Sequence, residues 1–288
     1  MTLRRTLGCL GALVAVSVAG WWIYHREDLR PAAPLRNALE NARPAAGAET
    51  TLSPGRQEAP PPVATRGWEP VAPGVDLRVQ SLAQGLAWLT AVRLDPKQVR
   101  VEVVDRAATK QEPITARALA EQQGALAAIN GGYFDEQWRP LGLLIHKGKQ
   151  THPLRRADWG IFSVGPRGAQ ITHTRQGVPR GAQEALQCGP RLVIAGKVPQ
   201  FKPGDSVRAG IGITAQGQVV LAVTTRGSLS LRDWARALQA VGCVDAMNLD
   251  GGPSSQLYLK AGKTTRDLPG SYGVPSLLLV KNGPTRLR

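Results

Sequence analysis

The sequence predicts an α+β fold: a mixed, largely antiparallel sheet with two or three helices packed on it, in a single domain. Three observations lead there. Short apolar runs bounded by turn residues recur from about residue 75 to 280 and outnumber the segments with helical spacing. Few of them alternate strand, helix and strand, which argues against a doubly wound parallel sheet. Neither a glycine-rich phosphate loop nor a serine elbow interrupts them.

The amino terminus stands apart from this pattern. Residues 7–24 carry no Lys, Arg, Asp or Glu, follow Arg4 and Arg5, and end at His25 and Arg26. That length reaches a bilayer span, and the leading arginines keep residues 1–6 on the cytoplasmic side. Ser17-Val18-Ala19 would also serve as a signal-peptide cleavage site. Trp21, Trp22 and Tyr24 extend the apolar run as an interfacial belt and favour an uncleaved anchor. Either way the remainder is exported. Residues 25–70 are rich in Pro and Ala with little apolar periodicity. They read as an extended spacer with room for a short helix at 28–40. The folded domain is expected at 71–288.

Charge falls mainly on that domain. The chain is +15; residues 1–70 hold eight Lys/Arg against six Asp/Glu, which leaves +13 on residues 71–288. Such a surface suits phosphorylated glycans or acidic lipid. No Lys/Arg run interleaved with aromatics points to nucleic acid. Cys188 and Cys243 are the two cysteines of the exported part, and a chain this large needs no disulfide, so two buried thiols are expected. The three cysteines form no zinc pattern.

Taken in order, strands are expected at 75–82, 85–94 and 98–104. A short helix over 115–121 has Thr115 as its cap and Gly124 as its stop. A buried strand over 125–129 then delivers Asn130. A hairpin is expected around Lys147-Gly148-Lys149, with strands at 159–164, 169–174 and 192–195. A second hairpin, 207–214 with 218–224, turns at Gln216-Gly217. Ser230 opens the best helix, with Asp233 three residues on. Leu231, Trp234, Ala235, Leu238 and Val241 share one apolar face, a core face, and Gly242 ends it. Strands at 244–249 and 274–280 complete the domain.

Two of these strands end alike. Asn248-Leu249-Asp250-Gly251-Gly252-Pro253-Ser254-Ser255 places a carboxylate at a strand end before paired glycines and hydroxyls. Ala128-Ile129-Asn130-Gly131-Gly132-Tyr133-Phe134-Asp135 repeats the arrangement. Glycines admit close backbone approach, and the polar side chains supply acceptors and donors. Asp-Gly is equally a turn signal, and Asn248 is equally a turn former. The repetition tips the balance toward one shared pocket.

These stretches, with Pro140-Leu141-Gly142, Cys188-Gly189-Pro190-Arg191-Leu192-Val193-Ile194 and Gly210-Ile211-Gly212, resemble the phosphodiester glycosidase family in residue type and order, over roughly residues 75–281. Two departures stand out. Pro253 takes the place of a third glycine, and Cys188 stands where Ser or Thr is common. The resemblance implies hydrolysis of a sugar-1-phosphate diester at the anomeric carbon–oxygen bond. It assigns Asp250 as base or nucleophile, Asp135 as second carboxylate, and Asn130 with the Gly131, Gly132, Gly251 and Gly252 backbone to substrate positioning. Arg191 and Arg208 are candidates for the phosphate, and Ser254 and Ser255 for sugar hydroxyls. Surface or structural roles are the alternatives for Arg191, Arg208 and Ser255. No cofactor is required, although Asp135, Asp250 and Asn248 offer oxygen ligands for a hard divalent cation. A membrane-tethered, non-catalytic binder of anionic envelope polysaccharide would use the same pocket; the presence of both carboxylates favours the enzyme.

Overall fold

The structure, a computed structural model, describes residues 64–284. The expected anchor and most of the spacer lie outside them. The described residues fall within one unit, residues 56–288. In chain order the strands run β1 (Glu69–Ala72), β2 (Val75–Leu82), β3 (Ala87–Leu94) and β4 (Val99–Asp105), followed by helix α1 (Ala116–Gln123). Next come β5 (Ala127–Asn130), β6 (Leu144–His146), β7 (Lys149–His152), β8 (Gly160–Gly165), β9 (Gly168–His173), β10 (Glu184–Cys188) and β11 (Arg191–Val193). Then β12 (Asp205–Ser206), β13 (Ala209–Thr214), β14 (Val219–Thr225) and β15 (Leu229–Ser230) lead into helix α2 (Leu231–Ala240). The chain closes with β16 (Cys243–Asn248), β17 (Leu257–Ala261), β18 (Thr264–Leu268) and β19 (Ser276–Asn282).

The fold is α+β, but the expected single mixed sheet resolves into several. A seven-stranded sheet runs β1-β2-β3-β14-β13-β16-β11, and a five-stranded one runs β18-β17-β5-β19-β4. A second five-stranded sheet runs β7-β6-β10-β8-β9, with a small β12–β15 pair besides. Within the described residues, every pairing of named strands is antiparallel. Short connections explain this, since hairpins join antiparallel neighbours directly whereas parallel strands need long crossovers.

Side-chain alternation builds the layers. Along β14, Val219, Leu221 and Val223 point into a central core shared by the three large sheets, with Leu77, Val101, Ile129, Phe162 and Leu278. Val220 and Ala222 point outward and meet α2 through Trp234, Ala235 and Leu238. On the far side α1 covers β5, β17 and β19 through Leu119 and Ala120 against Ala128, Tyr258 and Leu277. Both helices start as expected: the Thr115 and Ser230 hydroxyls accept from the Ala118 and Asp233 amides. Gly124 closes α1 at φ 56°, where a side chain would be strained. Cys188 and Cys243 are free and buried.

The spacer ends earlier than residue 70. The Thr65 amide donates to the Val79 carbonyl at 2.8 Å, and β1 pairs with β2 from Glu69. Arg93 lies over the Trp68 ring, 4.6 Å from its centroid. Among the described residues, no helix is long and apolar enough to cross a membrane.

Candidate active site

The two similar strand ends meet. β16 belongs to the seven-stranded sheet and β5 to the sheet facing it, and each hands its chain directly into the same junction. The Asp250 amide donates to the Gly131 carbonyl at 3.1 Å. The Asn130 Nδ2 donates to the Asp250 carbonyl at 2.8 Å, while its Oδ1 accepts from the Gln256 amide at 3.1 Å. Asn130 is fully buried with both ends of its carboxamide used, so it holds the junction together and does not reach substrate. On the β16 side, the Asn248 amide donates to the Pro190 carbonyl and the Leu249 amide to the Ala209 carbonyl. The Asn248 Nδ2 donates to the Leu249 carbonyl and, at 3.4 Å, to the Tyr133 hydroxyl.

Asp250 occupies the centre of this junction. Burial pushes its carboxyl up to about 6, against the opposing pull of hydrogen bonds from the Ser254 hydroxyl and the Gly251 amide. The residue as a whole is half-buried, and its carboxyl is walled by protein on most sides. Tyr133 and Cys188 feel its charge. Burial first, then their neighbours, push both their pKa values upward, so phenol and thiol stay neutral. The Tyr133 hydroxyl donates to the Gly189 carbonyl at 2.5 Å, ahead of a cis Gly189–Pro190 bond.

The glycines do less than expected of their amides. Gly131 donates to Ser276, Gly252 to Val207, and Gly251 to the Asp250 carboxylate. Of the four, Gly132 alone has an N–H without a protein acceptor among the described residues. Their real requirement is steric. A Cβ on Gly131 would collide with Ser276, on Gly132 it would lie 2.9 Å from the Gln187 carbonyl oxygen, and on Gly251 it would lie 3.0 Å from that of Val207. Gly252 also has φ 61°.

The Asp135 carboxylate makes its bonds within its own turn and none to Asp250. Its Oδ1 accepts from the Gln137 amide at 3.0 Å and the Arg139 amide at 2.9 Å, and its Oδ2 accepts from Arg139 Nε at 2.8 Å. Partial burial would raise its pKa, but these bonds outweigh burial and hold the carboxyl below the usual range. A strand-end pattern says where the chain turns, not where the next side chain points. Here the carboxylate closes its own turn.

Arg208 does lie at the site. Its Nε donates to the Leu229 carbonyl at 2.9 Å and one Nη to the Gly204 carbonyl at 2.6 Å. Burial lowers its pKa, while Tyr133 and Asp205 favour its charge. Arg191, half-buried at the head of β11, lies against Gly160 and Met247; its charge is among those that help lower the Asp158 carboxyl. Ser254 is buried between Asp250 and Tyr272, its Oγ 3.2 Å from the Tyr272 hydroxyl. Ser255 is 8% exposed and its Oγ has no partner. Beside this loop opens a depression of about 470 Å³, lined by Asp205, Ser206, Ser228, Gly252, Pro253, Ser255 and Ser271 among others. That volume suits a small-molecule ligand. No three His, Cys, Asp or Glu side chains converge as metal ligands among the described residues.

Sequence reasoning gave no role to Tyr133, Tyr272 or Gln256. Tyr133 lies inside the first of the two similar stretches, so its position is part of the local signal. Gln256 is tied to the Ala116 amide and the Ser254 and Tyr272 carbonyls, contacts that only the tertiary fold supplies.

Comparison with known proteins places the chain in a class. Residues 123–281 match the phosphodiester glycosidase family. The chain is a hydrolase acting on sugar phosphodiesters. It belongs to the phosphodiester glycosidase family. The uncharacterized protein YigE of Escherichia coli (strain K12) is 29% identical over 190 residues, covering 60% of this chain and 74% of YigE. The zebrafish N-acetylglucosamine-1-phosphodiester alpha-N-acetylglucosaminidase catalytic domain, auto-inhibited by its pro-peptide, shares the fold. Its TM-score is 0.56 at 16% identity, covering 72% of this chain and 82% of that one. A hypothetical protein from Synechocystis matches with TM-score 0.52 at 16% identity, over 72% of this chain and 61% of the other.

Proposed function

We propose that this is an exported, membrane-tethered glycosidase that cleaves the anomeric bond of sugar-1-phosphodiesters in envelope glycans or glycolipids. The observation that carries the reading is the Asp250 carboxyl, raised to about 6 at the junction of two strand ends and beside an open depression. A carboxyl near the working pH is matched to general-base catalysis. Water attacks the anomeric carbon and gives its proton to Asp250. The bond from that carbon to the phosphate oxygen breaks, and its electron pair leaves with the phosphate. The products are free sugar and a phosphomonoester.

Ordinary glycosidases need a second carboxyl because an alkoxide leaves badly. A phosphomonoester, with a second pKa of about 6, leaves without that help. Asp250 therefore suffices without Asp135. Arg208, fixed by two carbonyls, and Arg191 are the proposed cations for the phosphate. Gly132 supplies the proposed backbone donor, and Ser206, Ser228 and Ser271, which line the depression, meet sugar hydroxyls, while the Ser255 hydroxyl is enclosed by protein. No metal is needed for this step, although a divalent cation could be added to the assay.

The anchor and export rest on the apolar run at 7–24 and the Pro/Ala-rich stretch after it. The basic domain favours an anionic glycan over a neutral one. The test is incubation of the full-length protein with a panel of sugar-1-phosphodiesters in oxygen-labelled water. Label recovered in the sugar supports the reading. Label recovered in the phosphate means phosphorus–oxygen cleavage and removes it.

A further inference from the structure

The turn that absorbs Asp135 presents a tryptophan. Residues 135–139 form a tight loop: the Asp135 amide donates to the Arg139 carbonyl and the Trp138 amide to the Asp135 carbonyl, both at 3.0 Å. Three further bonds converge on the Asp135 carboxylate, and Phe134 bridges Pro140 behind them. Within this clamp Trp138 has φ 60°, a conformation that a bulky side chain avoids. Strain of this kind persists only where its surroundings enforce it, and it gathers at ligand sites.

The residue is also 38% exposed, one of two large exposed hydrophobic residues among the described residues. It is not a loose surface group. Phe134 stacks on it at 5.1 Å and 14°, and Tyr272 meets it at 5.7 Å and 80°. Tyr272 in turn touches Ser254 with its hydroxyl and follows Ser271, which lines the depression. A rigid aromatic is thus held one ring away from the loop that carries Asp250.

Building on the phosphodiester glycosidase reading, we propose that Trp138 is a binding platform for the sugar ring on the far side of the phosphate, the part of the substrate that leaves as phosphomonoester. A pyranose offers a face of C–H groups that packs on an indole while its hydroxyls stay in water. Arg139, pinned to the same carboxylate yet exposed, supplies a neighbouring positive charge. Asp135 is then a positioning residue, acting on substrate only through Trp138.

The test uses the full-length chain and two substrates with the same scissile sugar, one with a hexose and one with a methyl group beyond the phosphate. Trp138→Gly deletes the ring and relieves the φ, since glycine adopts it freely; Trp138→Phe keeps an aromatic. For Trp138→Gly, KM on the hexose substrate should rise on the order of five- to tenfold. Its kcat, and both constants on the methyl substrate, should stay near wild type. Trp138→Phe should recover most of the loss. Equal losses on both substrates, or none on either, overturn the platform. A separate arm titrates glucose 6-phosphate by calorimetry. Binding unchanged by loss of the ring also overturns the platform, whether or not turnover is seen. Wild type that turns over neither substrate, yet binds glucose 6-phosphate through Trp138, removes the glycosidase reading and leaves the platform standing.

Discussion

Asn130 and Asp250 lie 120 residues apart in the chain and are joined by the Asn130 carboxamide, which donates to the Asp250 carbonyl at 2.8 Å. Asn130 also receives the Gln256 amide at 3.1 Å. One side chain therefore fixes the main chain on both sides of the glycines that follow Asp250. In Asn130→Ala, a buried carbonyl and a buried amide lose their partner, at about 1–3 kcal/mol each. A large fall in the denaturant midpoint, with kcat falling alongside, is expected. A stable variant with activity lost would return Asn130 to direct contact with substrate.

Asp250→Asn is expected to lower kcat on the order of 10²–10⁴-fold, the usual worth of a general base, while the protein stays folded. Turnover of wild type should climb with pH through about 6, where the carboxyl loses its proton, and then level off. Stability should move the other way. The folded pKa lies above the ordinary value of 3.8, so the native state binds this proton more tightly than the unfolded chain. That contribution is complete below about pH 4 and is lost as pH rises through about 6. The variant should therefore melt at or above wild type at pH 7, with the gap closing toward pH 4. Thermal melts at several pH values, run beside turnover assays, check both halves.

Asp135→Asn should leave kcat on a methyl phosphodiester within a fewfold of wild type, because its carboxylate serves only its own turn. A loss as large as that of Asp250→Asn would restore it as a second catalytic carboxylate.

Trp234→Ala should cost about 3–5 kcal/mol, since the indole is 0% exposed and packs between α2 and the outer face of the seven-stranded sheet. Chemical denaturation measures this. An unchanged midpoint would mean that α2 does not depend on the core face assigned to it.

The mature protein isolated from membranes should retain residues 7–24, as read by intact mass. A chain starting at Gly20 would make the segment a cleaved signal peptide and leave the domain without an anchor.

Much of this was legible in the chain. β2 and β4 alternate buried and half-buried positions, so their periodicity declared them, and the caps of both helices were plain. The pairing of the two glycine-rich strand ends was legible because the same pattern occurs twice. β10 was hidden because Glu184 and Gln187 are polar yet buried. Glu184 accepts from the Val103 and Lys147 amides, and no local pattern reveals partners so distant. β17 and β18 carry no plain alternation of apolar and polar residues, since β17 is buried at four of its five positions and β18 at none. The partners of Asp135 are not legible locally, because strand spacing fixes a position along the chain and not the hydrogen bonds a side chain finds there. Tyr272 reaches the site only through the tertiary fold.

Sheet order sets the smallest piece of this chain that can stand alone. The family match begins at residue 123, yet β3 pairs with β14 and β4 with β19, and both partners precede that residue. A chain trimmed to the matched stretch would bare the whole length of β14 and β19. Rows of unpaired amides and carbonyls on apolar strands invite other chains to add on. The stretch that matches the family model is therefore smaller than the stretch whose sheets are complete, and the strands before residue 123 act as the cover on both of its open sides.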